Sequence, residues 1–412
     1  MAILATIFMI ISAILIFFLV FPFVMVLLSG IFKDRVKSVK KGDAAYKEVD
    51  YGCIITAYKN ADIAKPLIES LVSTQKYNNL HVYLVADDCD VTGWDVNHDK
   101  FTLLNPQPAL KLKAKSIIYA IENFVRPHEY IAVFDADNLA HPQFFNVINK
   151  YVNNGHRAVQ GQRTAKNLDT VYACADATGE FYKNYVDRYL PYVLGSSAVI
   201  SGSGMAVEAE LYKSYLASPE IEQGKTQWKK MLQEDKILQN VLLRENERIT
   251  YAWDAIVFDE KVVSGEQVET QRSRWLFSYF QNFPNSSGLL LKGIFGLSWN
   301  KFLFGIVTIS PPLFILLGIS MLVAFVGLFI NLTWAILLIG AIGIFALNIL
   351  FTLYLSKAPK QIWSALWGLP LFVLNQFKGL LKMGNPDKNF KHSEHTRKVS
   401  IDEVLKQGTH KE

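Results

Sequence analysis

Asp135-Ala136-Asp137 closes the apolar run Ile131-Ala132-Val133-Phe134. Two carboxylates one residue apart can share a divalent cation, and Mg²⁺ or Mn²⁺ keeps few protein ligands and bridges them to substrate phosphates. A nucleotide diphosphate is the natural partner of such a pair, although Asp and Asn at strand ends also make plain solvated turns. Asp87 and Asp88 end the apolar run HVYLV in the same way. Glu234-Asp235 lies in the helix-like run WKKMLQEDKILQNVLL. A carboxylate there is the expected general base for a hydroxyl group, against the commoner alternative of a solvated helix face. Gln271-Arg272-Ser273-Arg274-Trp275 brings Arg, suited to phosphate, beside Trp, whose broad apolar face suits a sugar ring. The same two residue types also anchor helices at a bilayer surface.

These residues need a frame. Residues 50 to 285 alternate strand-like and helix-like runs: YGCIITAY, a helical stretch over 62 to 74, HVYLVADD, the helical KAKSIIYAIENFV, then EYIAVFDADN. That alternation predicts an α/β sheet. Ligands of open α/β sheets bind beyond the carboxyl ends of the strands, where the acidic residues recur.

The flanks are a different material. Of 412 residues, 51% are hydrophobic, and the apolar residues concentrate in 3 to 28 and after 288. Residues 3 to 28 carry no charge and exceed the ~20 needed to cross a bilayer, so they predict a transmembrane helix (domain bounds 1-30) rather than a cleaved signal peptide. Lys33, Arg35, Lys37, Lys40 and Lys41 follow it, which places the next domain, 42-285, in the cytoplasm by the positive-inside rule. The region 289-381 is expected to hold interfacial and transmembrane helices. Crossings are predicted at about 302-330, interrupted by Pro311-Pro312, and at 332-355. Residues 361-381 have Lys357 and Lys360 before them and Lys382, Lys388, Lys391, Arg397 and Lys398 after. Two basic flanks predict an interfacial or re-entrant segment, with 382-412 a cytoplasmic tail.

A formal charge of +5 without clustered basic-aromatic patches argues against nucleic acid. Cys53, Cys89 and Cys174 are odd in number and lack CxxC spacing, so they read as reduced, buried thiols. His81, His128 and His141 lack ligand-like spacing and read as surface or packing residues.

In order and spacing, Asp87, Asp135 with Asp137, Glu234 with Asp235, and Gln271 with Arg274 and Trp275 resemble the D, DxD, ED and QxxRW signatures of the membrane-bound, inverting family 2 glycosyltransferases. That group includes cellulose, hyaluronan and poly-N-acetylglucosamine synthases and ceramide glucosyltransferase. The resemblance implies a Rossmann-like GT-A domain on the cytoplasmic face of a cell or inner membrane, flanked by transmembrane and interfacial helices. It implies Mg²⁺ or Mn²⁺ as cofactor and a nucleotide sugar, a UDP-sugar by first expectation, as donor. By residue, it implies that Ala57, Tyr58 and Asp87 hold the nucleotide base and that Lys113 lies near the base or diphosphate. Asp135 would contact the nucleotide and Asp137 the metal. Asp235 would be the catalytic base, with Glu234 shaping the acceptor end. Gln271, Arg274 and Trp275 would grip diphosphate and acceptor sugar, and Gly202-Ser203-Gly204 would form the acceptor-site loop. The chain departs from the pattern at Gln233, where Thr commonly precedes the ED pair, and at Ile118, where Asn is common. As acceptor the resemblance implies first a growing polysaccharide extended processively, with a membrane lipid such as a ceramide or polyprenyl phosphate given one sugar as the alternative. A transporter or scaffold with a nucleotide-binding middle would leave the metal carboxylates and the ED pair unexplained.

Overall fold

Strand-forming runs rich in Val, Ile and aromatic residues build one mixed sheet in the computed structural model, which describes residues 2–32, 34, 36, 46–227, 232–382, 384 and 397–406. The basic cluster Lys33, Arg35, Lys37, Lys40 and Lys41, and Lys388 and Lys391 further on, lie outside the described residues. The strands are β1 Tyr51–Tyr58, β2 Leu80–Asp87, β3 Phe101–Leu104, β4 Tyr130–Asp135, β5 Leu139–Ala140, β6 Ala158–Ala165, β7 Met205–Glu208 and β8 Ile249–Asp259. They are ordered β3-β2-β1-β4-β7-β6-β8-β5. Pairings β3-β2-β1-β4 are parallel, and every residue of β2 is buried, as expected of a strand covered on both faces. β7 runs antiparallel to both β4 and β6, and β6 pairs parallel with β8.

From β1 the chain winds one way into β2 and β3 and then returns to place β4 on the other side of β1. This reversal opens a crevice at the carboxyl ends of β1 and β4, the standard binding position in such sheets. There Thr56 of β1 stands in register with Asp135 of β4. The helix Lys113–Glu122, amphipathic with Ala114, Ile117 and Ala120 buried, covers the sheet and points its first residue at this crevice.

Among the described residues, three helices are long and apolar enough to cross a membrane: Ala5–Ser29, Leu313–Ile330 and Leu332–Leu355, with mean hydropathies of 3.0, 2.9 and 2.5. The apolar run 302–330 is divided: a separate helix Trp299–Ile309 ends at Ser310, and the next starts at Leu313 after Pro311-Pro312. Neither proline carries an N–H and the residue before each is driven to extended backbone, so the break falls where the sequence puts it. Segment 360–381 forms Lys360–Ala365 and Leu369–Leu381. The longer, at 13 residues, spans ~20 Å, short of the ~30 Å hydrocarbon core.

The α/β domain and these helices do not separate at residue 285. One 31-residue helix, Gly265–Phe295, starts shortly after β8 and runs on to the apolar region. Ser264 caps it by accepting from the Gln267 amide, while Gln267 Oε1 accepts from the Val263 amide at 2.8 Å. A second join is apolar: Tyr182, Tyr185, Val186 and Leu190 pack in one cluster with Leu15, Leu19, Leu316 and Phe345 of these three apolar helices.

Gly161 sits at the β6 bulge, and a Cβ there would lie 2.6 Å from the Ala255 carbonyl and 2.8 Å from that of Gly204. Both obstacles are backbone. Gly161→Ala is therefore expected to cost about 1–3 kcal/mol, read as a lower Tm of the detergent-solubilised protein. Gly179→Ala, with nothing within 4 Å, is the matched control. Equal melting of the two variants would refute the close-approach argument.

Candidate active site

Lys113 begins its helix at the crevice and binds three elements together. Its Nζ donates to Asp135 Oδ1 at 2.6 Å and to the Gly202 carbonyl at 3.0 Å, and lies 3.5 Å from Glu234 Oε1. Burial alone would lower the Lys113 pKa, but the carboxylates of Asp135 and Glu234 outweigh it and hold the ammonium above its usual range. For Glu234, burial raises the pKa; Lys113 opposes that and the neighbouring Asp235 adds to it, and the net displacement is upward.

Glu234 and Asp235 occupy the first turn of helix Glu234–Arg244, where the positive end of the helix dipole favours carboxylates. Gln233 enters this turn in the left-handed region, with φ 56°. Its side chain is tied to Gln281 and to Ser278, which donates to Gln233 Oε1 at 2.8 Å, both on the long helix. Gly202 faces Asp235: a Cβ on Gly202 would lie 3.6 Å from Asp235 Oδ2. With φ +84° the position favours glycine on backbone grounds as well. Of the expected acceptor loop, only Gly202 lines the cleft. Ser203 is fully buried and its carbonyl accepts from Gln160 Nε2, while Gly204 is bonded into the sheet through Gly161 and Val133. These two shape the loop from beneath.

Asp137 borders the same cleft, 9% exposed. Its carboxylate accepts from Asn138 Nδ2 at 3.3 Å and the Glu260 amide at 3.4 Å. Ala57 and Tyr58, at the end of β1, line the cleft too, and burial with the neighbouring Asp88 raises the Tyr58 pKa. Asp87 is at the cleft edge, but both its oxygens are engaged: Oδ1 accepts from the Leu110 amide at 2.7 Å and Oδ2 from the Lys111 amide at 2.6 Å. It pins the loop that delivers Lys113.

Gln271, Arg274 and Trp275 reach the cleft from the long helix. Burial pulls the Arg274 pKa down. Trp275 is not simply an open platform, because the Arg272 guanidinium lies 4.3 Å and Lys183 Nζ 5.5 Å from its ring centroid. The cleft, about 2480 Å³, continues from the strand ends to Pro312, Phe314, Leu317, Phe345, Phe372 and Phe377 of the membrane-proximal helices. It is charged at one end and apolar at the other.

Sequence reasoning overlooked a buried ionic network under this cleft. Glu180 pairs with Arg188 at 2.8 Å and Lys261 at 3.6 Å, Lys261 with Asp259 at 2.7 Å, and Asp259 with Arg163. Arg163 also donates to the Ser201 carbonyl at 2.7 Å, so the network supports the Gly202 loop. Lys183 and Asp187 line the cleft above it, on either side of the start of a π-helical turn, Asn184–Tyr189. Burial pushes the Lys183 pKa down to about 8, with Asp187 opposing and Arg272 reinforcing the shift. The available signal was the density of charge in Glu180-Phe181-Tyr182-Lys183-Asn184-Tyr185-Val186-Asp187-Arg188, an otherwise aromatic run.

The family model for glycosyltransferase like family 2 matches residues 50–278. Among solved structures, the chain is similar to the mannosyltransferase PcManGT from Pyrobaculum calidifontis in complex with GDP-Man and Mn²⁺. Identity is 14%, with 90% of this chain and 99% of that one covered and a TM-score of 0.53, a likeness of fold. TarS 1–349 of S. aureus is similar at 11% identity over 84% of this chain and 93% of its own, with a TM-score of 0.41. No curated protein matches.

If Lys113 holds Asp135 in place, the two side chains must be energetically coupled. Lys113→Met and Asp135→Asn are each expected to lower stability, and the double variant to lose less than their sum, with a coupling of about 0.5–3 kcal/mol in chemical denaturation. Strict additivity would show that the contact has no net worth.

Proposed function

Because the chain belongs to the family-2-like glycosyltransferases, we propose that it transfers a sugar, with inversion, from a nucleotide-diphosphate donor to a hydroxyl of an acceptor delivered from the membrane. One observation carries this reading: a single cleft holds the carboxylates Asp135, Asp137, Glu234 and Asp235 at its sheet end and the apolar side chains of membrane helices at the other. The donor base sits against Ala57 and Tyr58, and its diphosphate between Asp137 and Arg274. UDP-sugars are the first donors to test and GDP-mannose, the ligand of PcManGT, the next.

The side chains fit a hard divalent cation shared with the donor. Among the described residues no three His, Cys, Asp or Glu side chains converge into a metal cage. Asp137 is a carboxylate beside the cleft while Asp135 is committed to Lys113, which matches a cation taking one protein carboxylate and completing its shell with phosphate. Bound there, Mg²⁺ or Mn²⁺ would supply charge stabilisation for the departing diphosphate. The chain's own residues do the rest. Asp235 takes the proton of the acceptor hydroxyl, whose oxygen attacks the anomeric carbon as the diphosphate leaves from the opposite face. Lys113 neutralises the crowded carboxylates, and Gly202 keeps the approach to Asp235 open.

The cleft's membrane half favours one acceptor. Phe314, Leu317, Met321, Phe345, Phe372 and Phe377 suit an acyl or prenyl chain better than a hydrated polysaccharide, and three candidate spans make a small frame for a polymer channel. A lipid acceptor receiving one sugar is therefore the reading preferred over processive extension.

Release of UDP or GDP from the purified protein, supplied with a panel of nucleotide sugars and a membrane-lipid extract, is expected to need a divalent cation and to yield a glycolipid with one added sugar. Polymeric product would establish processive extension instead. Asp137→Ala should cost roughly 10²-fold or more in turnover. Asp235→Asn should keep donor affinity and lose on the order of 10²- to 10⁴-fold in rate. Full activity in excess EDTA, or unimpaired transfer by Asp235→Asn, would overturn the mechanism.

The cytoplasmic placement rests on the basic residues after the first helix. The native cysteines are all buried. A cysteine at the exposed position Asp99 is expected to resist an impermeant thiol reagent in intact cells and react after lysis. Labelling in intact cells would reverse the orientation.

A further inference from the structure

The segment after the last membrane-proximal helix returns to the α/β domain. Ile401 and Val404 of the helix Ile401–Lys406 are buried against Leu139 and Phe258, where β5 pairs with β8. Leu139 is two residues beyond Asp137, so the docking surface is the base of the candidate metal carboxylate. The polar contacts converge on the same place. Buried Lys166 donates from Nζ both to the Asp137 carbonyl at 3.2 Å and to the Arg397 carbonyl at 2.7 Å. The Arg397 amide donates to Glu260 Oε2 at 3.2 Å, and the Glu260 amide donates to Asp137 Oδ2 at 3.4 Å. Asp137, Lys166, Arg397 and Glu260 thus close a hydrogen-bonded ring, and the Arg397 guanidinium is anchored outside it on Asp169.

We propose that residues 397–406 form a strap that belongs to the donor site, in which the Arg397 backbone, through Glu260 and Lys166, positions Asp137 for a divalent cation shared with a nucleotide diphosphate. This rests on the transferase reading above. The physical ground is that the groups holding a metal ligand fix its orientation, and their loss typically lowers metal affinity 10- to 100-fold. Without the strap, Glu260 loses the amide that its carboxylate accepts, and Lys166, buried at 2% exposure, loses one of its two carbonyl partners. Asp137 would then lose bracing on both its carbonyl and its carboxylate side. Arg397, Glu260 and Lys166 are positioning residues, since none needs to touch the sugar.

The test uses the full-length, detergent-solubilised protein and follows Mn²⁺ binding by electron paramagnetic resonance in the presence of UDP or GDP. Val404→Asp puts a charge into the apolar seat and should undock the strap. Arg397→Pro removes the amide donor to Glu260 together with the guanidinium on Asp169 and leaves residues 399–406 to dock, so it serves if the first variant folds poorly, with Arg397→Ala isolating the loss of the side chain. Both are expected to raise the Mn²⁺ dissociation constant about 10- to 100-fold. Arg397→Ala, which keeps both backbone bonds, should stay within about threefold, below the range for losing such a support. Mn²⁺ binding unchanged in both Val404→Asp and Arg397→Pro would overturn the strap while leaving the transferase reading intact. Failure of the unaltered protein to bind Mn²⁺ with either nucleotide would overturn both.

Discussion

A single ammonium group organises the chemistry of this protein. Lys113 holds Asp135 at the end of β4, faces Glu234 at the head of a helix more than a hundred residues on, and bonds the Gly202 carbonyl between them. Without it, several acidic side chains would crowd one partly desolvated cleft, and like charges at such range force protonation or expansion. Much else serves to deliver that cation. Asp87 pins the loop before it through two backbone amides, and Arg163 supports the Gly202 loop from below.

The second constraint is that the cleft and the apolar helices share elements. Helix Gly265–Phe295 carries Gln271, Arg274 and Trp275 into the cleft and then continues as part of the apolar layer. The π-helical turn Asn184–Tyr189 turns Tyr185 and Val186 toward the apolar helix cluster while Asp187 lines the cleft. An extra residue in a helical turn is tolerated where it re-aims side chains, and here it divides polar from apolar duty within one short segment. The cleft and the apolar helices are consequently joined by shared elements.

Much of this was legible in the sequence because it is local. Strands ending in acids, the Pro311-Pro312 break and the helix that carries Glu234-Asp235 follow from period and backbone sterics over a few residues. What escaped depended on contacts distant along the chain. Ser203 and Gly204 look identical in kind to Gly202, yet the β6 bulge and Gln160 draw them under the sheet. Trp275 reads as an open sugar platform until Arg272 and Lys183 are seen against its ring. Residues 397–406 read as a polar tail, because Ile401 and Val404 are too few to register as a core-forming pattern.

The division of labour within Glu234-Asp235 follows from where the helix begins. Successive residues of an α-helix point about 100° apart, so the two carboxylates cannot do the same work. Glu234 is turned to Lys113, with its backbone carbonyl held by the Tyr215 hydroxyl at 2.6 Å. Burial raises its affinity for a proton and the Lys113 ammonium opposes that. Asp235 points instead at Gly202, where no side chain intervenes, with Lys236 Nζ 3.6 Å away to steady its charge. The unusual entry through Gln233, left-handed and anchored to Ser278 and Gln281, sets the phase of that first turn. Where Thr commonly precedes the ED pair in the resembling polymer synthases, this chain uses a longer amide that reaches Ser278 and Gln281, so the turn bearing Glu234 and Asp235 is tied to the helix that carries Arg274 and Trp275.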